Sequence, residues 1–592
     1  MFAKRTRGNA HEGVGGPSRR SGRTARYTRV AGAVTAALTT LALLAGCASS
    51  ADEDRKGNSL TFLEPQFFST LYPPSAGFYP NGGVVNNIAD RLLYQDPQTL
   101  QLSPWIATEL PLVNDNATEF TFTIRTDVTY SDGTPLTAEN VVKNFDLYGK
   151  GAKDRRLTVS EQITNYDYGE VVDRDTVRFH FTEPAPGFAQ ATSSFNAGLY
   201  SDSTLDFANE QFAPGNATNI IGSGPFVITA ETLGTNLTLS AREDYDWAPP
   251  AREHQGRARL DEVDYVLAGE ESVRIGALVA GQADIARQIE APVEAHLSDE
   301  GINVVSAATN GVNNSFNFRF KNPILQDIRV RQALIHAIDR EKIMRVLFSP
   351  SYPLATSVLA RNALGYKEQV NAYVHDVDAA QQLLDAAGWT VGEDGYRSKD
   401  GTPLELTFNE ALPQPRSREV VTMVQEQLAE IGIRVNLNPG DQAAQDADSK
   451  DPSKIQVRHS MVGRADYDVL KSMYYSSNRN ELLNMTMDGD LKDIGDPHLE
   501  ELLMAIASSP DENDRRAASA AAQDYITEQA YVLPLFEEPV VYGVQPHVRG
   551  FNPDVIGRPS FYETYLDFSD QQPGADPQAA GDNDNATREK ED

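Results

Sequence analysis

The chain has 592 residues, 40% hydrophobic and 8% aromatic, which is more than one ordinary core holds, so two or three domains are expected. Its 84 acidic against 52 basic residues give a formal charge of −32. That excludes a nucleic-acid binder, which needs a basic face. A lone cysteine, Cys47, excludes an internal disulfide and a thiolate metal cluster.

The first 29 residues carry eight Lys/Arg and one acid, Glu12. The uncharged run "VAGAVTAALTTLALLAG" follows at 30–46, and Cys47 closes it. A basic segment, a short apolar stretch and small residues at a cut site make a secretory signal. The run is too short and alanine-rich for a membrane span. "LLAGC" resembles the bacterial lipobox, whose cysteine is acylated and becomes the new N-terminus. Cys47 is therefore the expected lipidation site, after a signal peptide at 1–46 and before a polar tether at 47–57. Two acyl chains hold a protein stably to a membrane, where one is marginal. The protein is then expected outside the cytoplasm, anchored to the cytoplasmic membrane of the cell envelope. The lack of other thiols suits an oxidising compartment. "SRR" at 18–20 lacks the hydrophobic sequel of a twin-arginine signal, so Sec and Tat export both stay open. Without residues 1–46 the charge is near −39, from 44 bases and 83 acids.

Beyond the tether, strand and helix patterns mix. "EFTFTIRTDV" alternates Phe120, Phe122 and Ile124, a half-buried strand. "SDG" at 131–133 is a turn. "TAENVVKNFDLY" offers Thr137 as N-cap and sets Val141, Val142, Phe145 and Tyr148 on one helical face. "DTVRFHF" alternates Val177, Phe179 and Phe181. "SVRIGALVAGQADIA" reads as a capped helix, a stop at Gly281 and a short strand. "VDAAQQLLDAAGW" places Ala380, Leu383, Leu384 and Ala387 together and ends at Gly388. "REVVTMVQEQLAEIGIRVNL" sets Val420, Val424, Leu428 and Ile431 on one face, then Gly432 and a strand. Recurring helix–glycine–strand units indicate an α/β protein. The tail at 569–592 has no apolar periodicity and is expected to be disordered.

No G-x-S-x-G elbow, Walker A motif or G-x-G-x-x-G is present. The nine histidines include no H-E-x-x-H, so no metal site and no cofactor are expected. Chance carboxylate pairs among so many acids are the default.

Several stretches together resemble family 5 extracytoplasmic solute-binding proteins, the dipeptide-, oligopeptide- and nickel-binding components of ABC importers. They are "DRLLYQDPQTLQLSPWIATEL" with "FTFTIRTDVTYSDGTPLTAENVVKNFD", "GSGPFVI" at 222–228, "RIGALVAGQADIA" and "FNFRFKNPILQDIRVRQALIHAIDREKI". The likeness runs in order from Leu60 to Phe568. It implies a bilobal, periplasmic-binding-protein-like α/β fold with the ligand in the cleft between lobes. Domain I would be discontinuous, at 58–93, 219–318 and 534–568. Domain II would be 94–218 and domain III 319–533. Chain crossings would fall at "GSGPF" and "SFNFRF", making Gly222, Gly224, Phe316, Asn317 and Phe318 hinge candidates. The resemblance implies a monomeric, non-enzymatic receptor. Its partners would be a peptide or other small solute and the ABC permease and ATPase subunits, with no nucleic acid.

In the family's peptide binders an aspartate of an A-D-Y-x-x-P motif takes the ligand's ammonium group. "GRADYDVL" supplies Asp466, with Arg464 and Tyr467 beside it. The proline is absent, with Val469 and Leu470 in its place, which leaves a metal chelate or opine-like solute open. The other expected ligand contacts are Glu64, Tyr79 and Asn81, in a Pro- and Gly-broken loop after the first strand. Asn313 and Asn314 precede the second crossing, and Tyr474 stands with Tyr475 as a stacking ring. Phe67, Phe68 and Phe78 of that loop are expected in the core. A secreted hydrolase and a sensory lipoprotein are the competing functional classes.

Overall fold

A computed structural model describes residues 58–488 and 491–569. The signal peptide, Cys47, the tether and the tail beyond Ser569 lie outside the described residues. A seven-stranded sheet runs in the order Asn303–Ala308, Pro539–Val544, Ile285–Arg287, Ser59–Glu64, Glu262–Leu267, Asn236–Ala241, Phe226–Thr232. Ser59–Glu64 pairs parallel with both neighbours. Parallel neighbours need a crossover, and the helix Glu271–Val279 lies within one. Gly281, at φ +69°, follows that helix in a conformation that L side chains adopt only with strain.

A four-stranded antiparallel sheet comprises Leu112–Val113, Glu119–Thr123, Thr176–Phe181 and Tyr166–Asp173, in that order. Phe120, Phe122, Val177 and Phe179 point to its buried face, as the alternation requires. The helix Ala138–Lys150 packs there through Val141, Phe145 and Tyr148, and the Thr137 side chain accepts from Asn140 N–H at 3.3 Å. One hydrophobic core runs from Phe62 and Ile88 through Phe120 and Phe179, so the two sheets share an interior.

A five-stranded sheet has the order Arg434–Asn438, Glu405–Asn409, Val457–Val462, Val312–Phe318, Val532–Phe536. The helices Val377–Ala386 and Ser417–Ala429 bury Ala380, Leu384, Val420, Val424 and Leu428 in a core that includes Phe316 and Leu406. These sheets define the two lobes of the α/β fold, the first two sheets in one and the third in the other.

The chain passes between the lobes at residues 309–311, and returns at 537–538. Phe316, Asn317 and Phe318, expected at the crossing, lie inside Val312–Phe318 instead. They are fully buried and pair with strands on both sides. Such residues are held by two ladders and cannot supply the freely turning bonds of a hinge. The strand Val312–Phe318 therefore belongs to the five-stranded sheet, and the boundary expected at 318 moves to 311.

Gly222 and Gly224 lie just before Phe226–Thr232, where the chain re-enters the seven-stranded sheet. A Cβ on Gly222 would collide with the Ile88 carbonyl oxygen, and one on Gly224 would come within 2.6 Å of Ala89 N. Gly224 N–H donates to Ile88 O at 2.9 Å.

Candidate functional site

A cavity of about 600 Å³ opens between the lobes. Phe78, Tyr79 and Arg558 line it from the seven-stranded side, Glu161 and Phe195 from the inserted region, and Arg458, Arg464, Arg479 and Glu481 from the five-stranded lobe. Glu538, in the return connector, also lines it. Binding sites are commonly concave, formed between domains and lined by a few convergent polar groups.

The charged side chains of the wall fall into two groups. Most are already paired. Arg458 Nε lies 3.3 Å from Glu481. Arg479 lies 3.0 Å from Glu161, which also faces Arg464 at 3.9 Å, so ion pairs link the two lobes. Glu410 takes Arg418 at 2.5 Å, and Asp446 is exposed to solvent.

Arg558 and Glu538 form the second group. Arg558 is 4% exposed. Its guanidinium lies 3.7 Å from the Tyr79 ring centre, and Nη2 donates to Gly77 O at 2.6 Å. Its buried Nε has no hydrogen-bond partner. A Cβ on Gly82 would sit 2.9 Å from that Nε, so the glycine makes room for the arginine. Glu538 is buried and accepts from Asn314 Nδ2 at 2.6 Å. Burial pushes its pKa to about 8; the Asn314 bond opposes this and Glu290 adds to it.

Behind Glu538 a polar chain runs through Asn314 to His459, whose Nδ1 lies 2.8 Å from Ser417 Oγ. Burial lowers the His459 pKa to about 3, aided by Arg458, so the ring is neutral. Ser, His and Asn in a row resemble a hydrolase constellation. Ser417, however, starts the helix Ser417–Ala429, is 3% exposed and does not line the cavity. The hydrolase reading gains nothing from it.

The expected site residues divide sharply. Tyr79 and Arg464 line the cavity. Asp466 faces a smaller adjoining pocket of about 40 Å³, with Arg464 Nε 2.7 Å from its carboxylate. Burial raises the Asp466 pKa against the pull of Arg464. Desolvation alone would lower Arg464, yet Asp466, Glu161 and Asp468 outweigh it. Glu64 is bound by Arg287, with Nε 2.8 Å from Oε1. Asn81 Oδ1 accepts from Ser69 N–H at 2.8 Å and fastens the loop before its own helix. Asn313 holds the Ser357 and Leu359 carbonyls at 2.9 Å. Asn314 reaches the site through Glu538. Tyr467 and Tyr474 are buried in a hydrophobic core and do not line the cavity. The stretch at 62–87, expected as a loop, ends in the helix Tyr79–Ile88, and Phe78, expected in the core, is 42% exposed on the cavity wall.

Glu538, Arg558, Arg479 and Glu161 escaped the sequence reading. Glu538 left one trace, two adjacent acids inside the apolar run "YVLPLFEEPVVYGV". Charges interrupting a buried strand pair have to be satisfied or used.

Comparison with known proteins agrees with this architecture. The profile described as "Bacterial extracellular solute-binding proteins, family 5 Middle" matches residues 101–481, and the chain belongs to that family. The dipeptide-binding protein of Escherichia coli K12 is 24% identical over 530 residues, spanning 84% of this chain and 91% of the relative. The glutathione-binding protein GsiB of E. coli O1:K1 is 24% identical over 521 residues, 86% and 94% of the two chains. Among solved structures, NikA from Brucella suis in complex with Fe(III)-EDTA aligns with a TM-score of 0.73 at 21% identity, covering 86% of this chain and 99% of its own. DppA from Helicobacter pylori in complex with the peptide STSA aligns with a TM-score of 0.69 at 19% identity, covering 87% and 99%.

Proposed function

We propose that the protein is the lipid-anchored, ligand-capturing component of an ABC importer. It takes a peptide or similar small polar solute into the cleft and presents the closed form to a membrane permease. The observation that carries this reading is the charged cavity between two lobes that two short connectors join among the described residues. Solute between the lobes adds contacts that only the closed state makes, so it shifts the population toward closure. The relatives named as dipeptide- and glutathione-binding proteins support a peptide-like solute.

We divide the working chain where its strands change sheet, into 58–93 with 219–311 and 537–568, then 94–218, then 312–536. Arg558 keeps a second reading open, an anionic metal chelate, because a buried guanidinium suits a carboxylate on either kind of ligand. Mass spectrometry of solute co-purifying with residues 58–569, followed by calorimetry with what is found, separates the two. Small-angle scattering should then show compaction on saturation. Absence of any bound solute, with no compaction by peptides or chelates, would overturn the receptor reading.

A further inference from the structure

The charged side chains of the cleft wall mostly satisfy one another, through the Arg458–Glu481, Arg479–Glu161 and Arg418–Glu410 pairs. Its apolar side chains do not. Phe78, Val159 and Leu412 all line the cavity and are between 42% and 52% exposed. None of the three packs into a hydrophobic core of the described residues. Single exposed apolar side chains are ordinary on a protein surface. Three that converge on one cavity from separate segments of chain mark a binding surface.

Nor can they turn away. Phe78 O accepts the Gly82 N–H at 3.1 Å, which fixes it at the start of the helix Tyr79–Ile88. The neighbours of Val159 are tied to two buried residues: Tyr72 Oη donates to Thr158 O at 3.0 Å, and Ser160 N–H donates to Tyr148 O at 2.8 Å. Gln414 N–H donates to Ala411 O at 2.8 Å and Ala411 N–H to Ser417 Oγ at 2.9 Å, so Leu412 stands on a pinned turn. With backbones held this way, cover for the three side chains has to come from a solute or from the opposite wall.

We infer that the captured solute carries a bulky apolar group, of leucine or phenylalanine size, which Phe78, Val159 and Leu412 enclose. This rests on the receptor reading above and names the class of solute within it. Phe78 stands on the side of the seven-stranded sheet and Val159 in the inserted region, between the helix Ala138–Lys150 and the strand Tyr166–Asp173. Leu412 follows the strand Glu405–Asn409 of the five-stranded lobe. An apolar group between them loses water on both sides only when the lobes close, so it favours closure as well as binding. Covering a side chain of that size is worth about ten- to a hundred-fold in affinity. A carboxylate in the same place would lose its water, and none of the three side chains could pair with it.

The test is calorimetry with trialanine and with its variants carrying Leu, Phe or Asp at each position in turn. At one position Leu or Phe should bind about ten- to a hundred-fold tighter than Ala, and Asp more weakly than Ala. Phe78→Ser, Val159→Ser and Leu412→Ser should each shrink the Leu-to-Ala ratio by about threefold or more. Their Tm without peptide should match the parent's, since none of the three is a core residue. Val391→Ser is the control, an exposed valine on the strand Thr390–Val391 that does not line the cavity, and it should keep the ratio. If the three side chains serve only to meet one another on closure, the variants weaken Ala and Leu peptides alike, the ratio survives and the inference falls. A parent that binds Ala, Leu, Phe and Asp peptides equally also overturns it, while the receptor reading stands. If no tripeptide binds, the co-purifying solute decides. A solute with a bulky apolar group, weakened by Leu412→Ser and not by Val391→Ser, upholds the inference; a solute without one overturns it and leaves the receptor. No binding together with no bound solute removes both.

Discussion

Thr309 Oγ1 donates a 2.8 Å hydrogen bond to the carbonyl oxygen of Glu538, so the two connectors between the lobes are tied side by side. The outgoing and returning chains thus form one narrow strap. The buried acid Glu538 sits on that strap rather than on either lobe.

Gly311 should tolerate no side chain. A Cβ there would collide with the Val462 carbonyl oxygen and lie 2.7 Å from Arg464 N. Gly311→Ala is expected to cost about 1–3 kcal/mol, as overpacking of a rigid site does. Gly276 is the control, because nothing lies within 4 Å of its Cβ position in the helix Glu271–Val279. Gly276→Ala should gain up to about 1 kcal/mol. Urea unfolding of both variants measures the contrast, and equal effects would contradict it.

Stability without ligand should fall as the pH rises from about 4.5 to about 8, through Glu538. Its folded pKa lies above its unfolded value, so the folded state holds the proton longer and the unfolded chain gains on deprotonation. At about 1.4 kcal/mol per pKa unit, the penalty above pH 8 is on the order of a few kcal/mol. Glu290, Tyr79, Tyr352, His459 and Asn314 surround the carboxyl and none supplies a positive charge. Glu538→Gln should therefore be more stable than the parent at pH 8 and similar to it at pH 4.5. Melting curves at the two pH values decide, and a variant with the parent's slope would contradict the assignment.

Arg464→Ala should destabilise strongly, by about 3–5 kcal/mol, because it strands the buried Asp466 carboxylate. Asp466→Asn keeps an acceptor for Asp468 N–H and should cost less. The check is denaturant unfolding of both. A sequence-based assignment of Asp466 to the ligand predicts the reverse, an affinity loss at unchanged stability.

Cys47→Ser should block acylation. The variant is expected in the soluble fraction without incorporated palmitate label, while the parent pellets with membranes and carries it. A labelled, membrane-bound variant would contradict the lipobox reading.

Much of the scaffold was legible because its signals are periodic and local. Val141, Phe145 and Tyr148 share a helical face by spacing alone, and Gly281, Gly388 and Gly432 each follow a helix at positive φ. The crossing was misplaced for an equally physical reason. All seven residues of Val312–Phe318 are buried, so no alternation marks which sheet receives them. Among the site residues, composition pointed to the cleft at Tyr79 and Arg464. It could not tell a buried acid held by an amide from one that has an arginine. Glu64 and Glu538 read alike in sequence; Arg287 separates them in space.

The glycine junction at Gly222 and Gly224 determines which parts of the molecule turn together. There, main chain lies directly on main chain at Ile88 and Ala89, with no side chain between to shear or reorient. Arg242 adds bonds to the Ser223, Thr129 and Tyr130 carbonyls, tying the same junction to the inserted region. The inserted region and the seven-stranded sheet consequently travel as one lever arm. Relative rotation of the arms has to be absorbed by torsions in the five residues at 309–311 and 537–538, whose closeness confines it to a single axis.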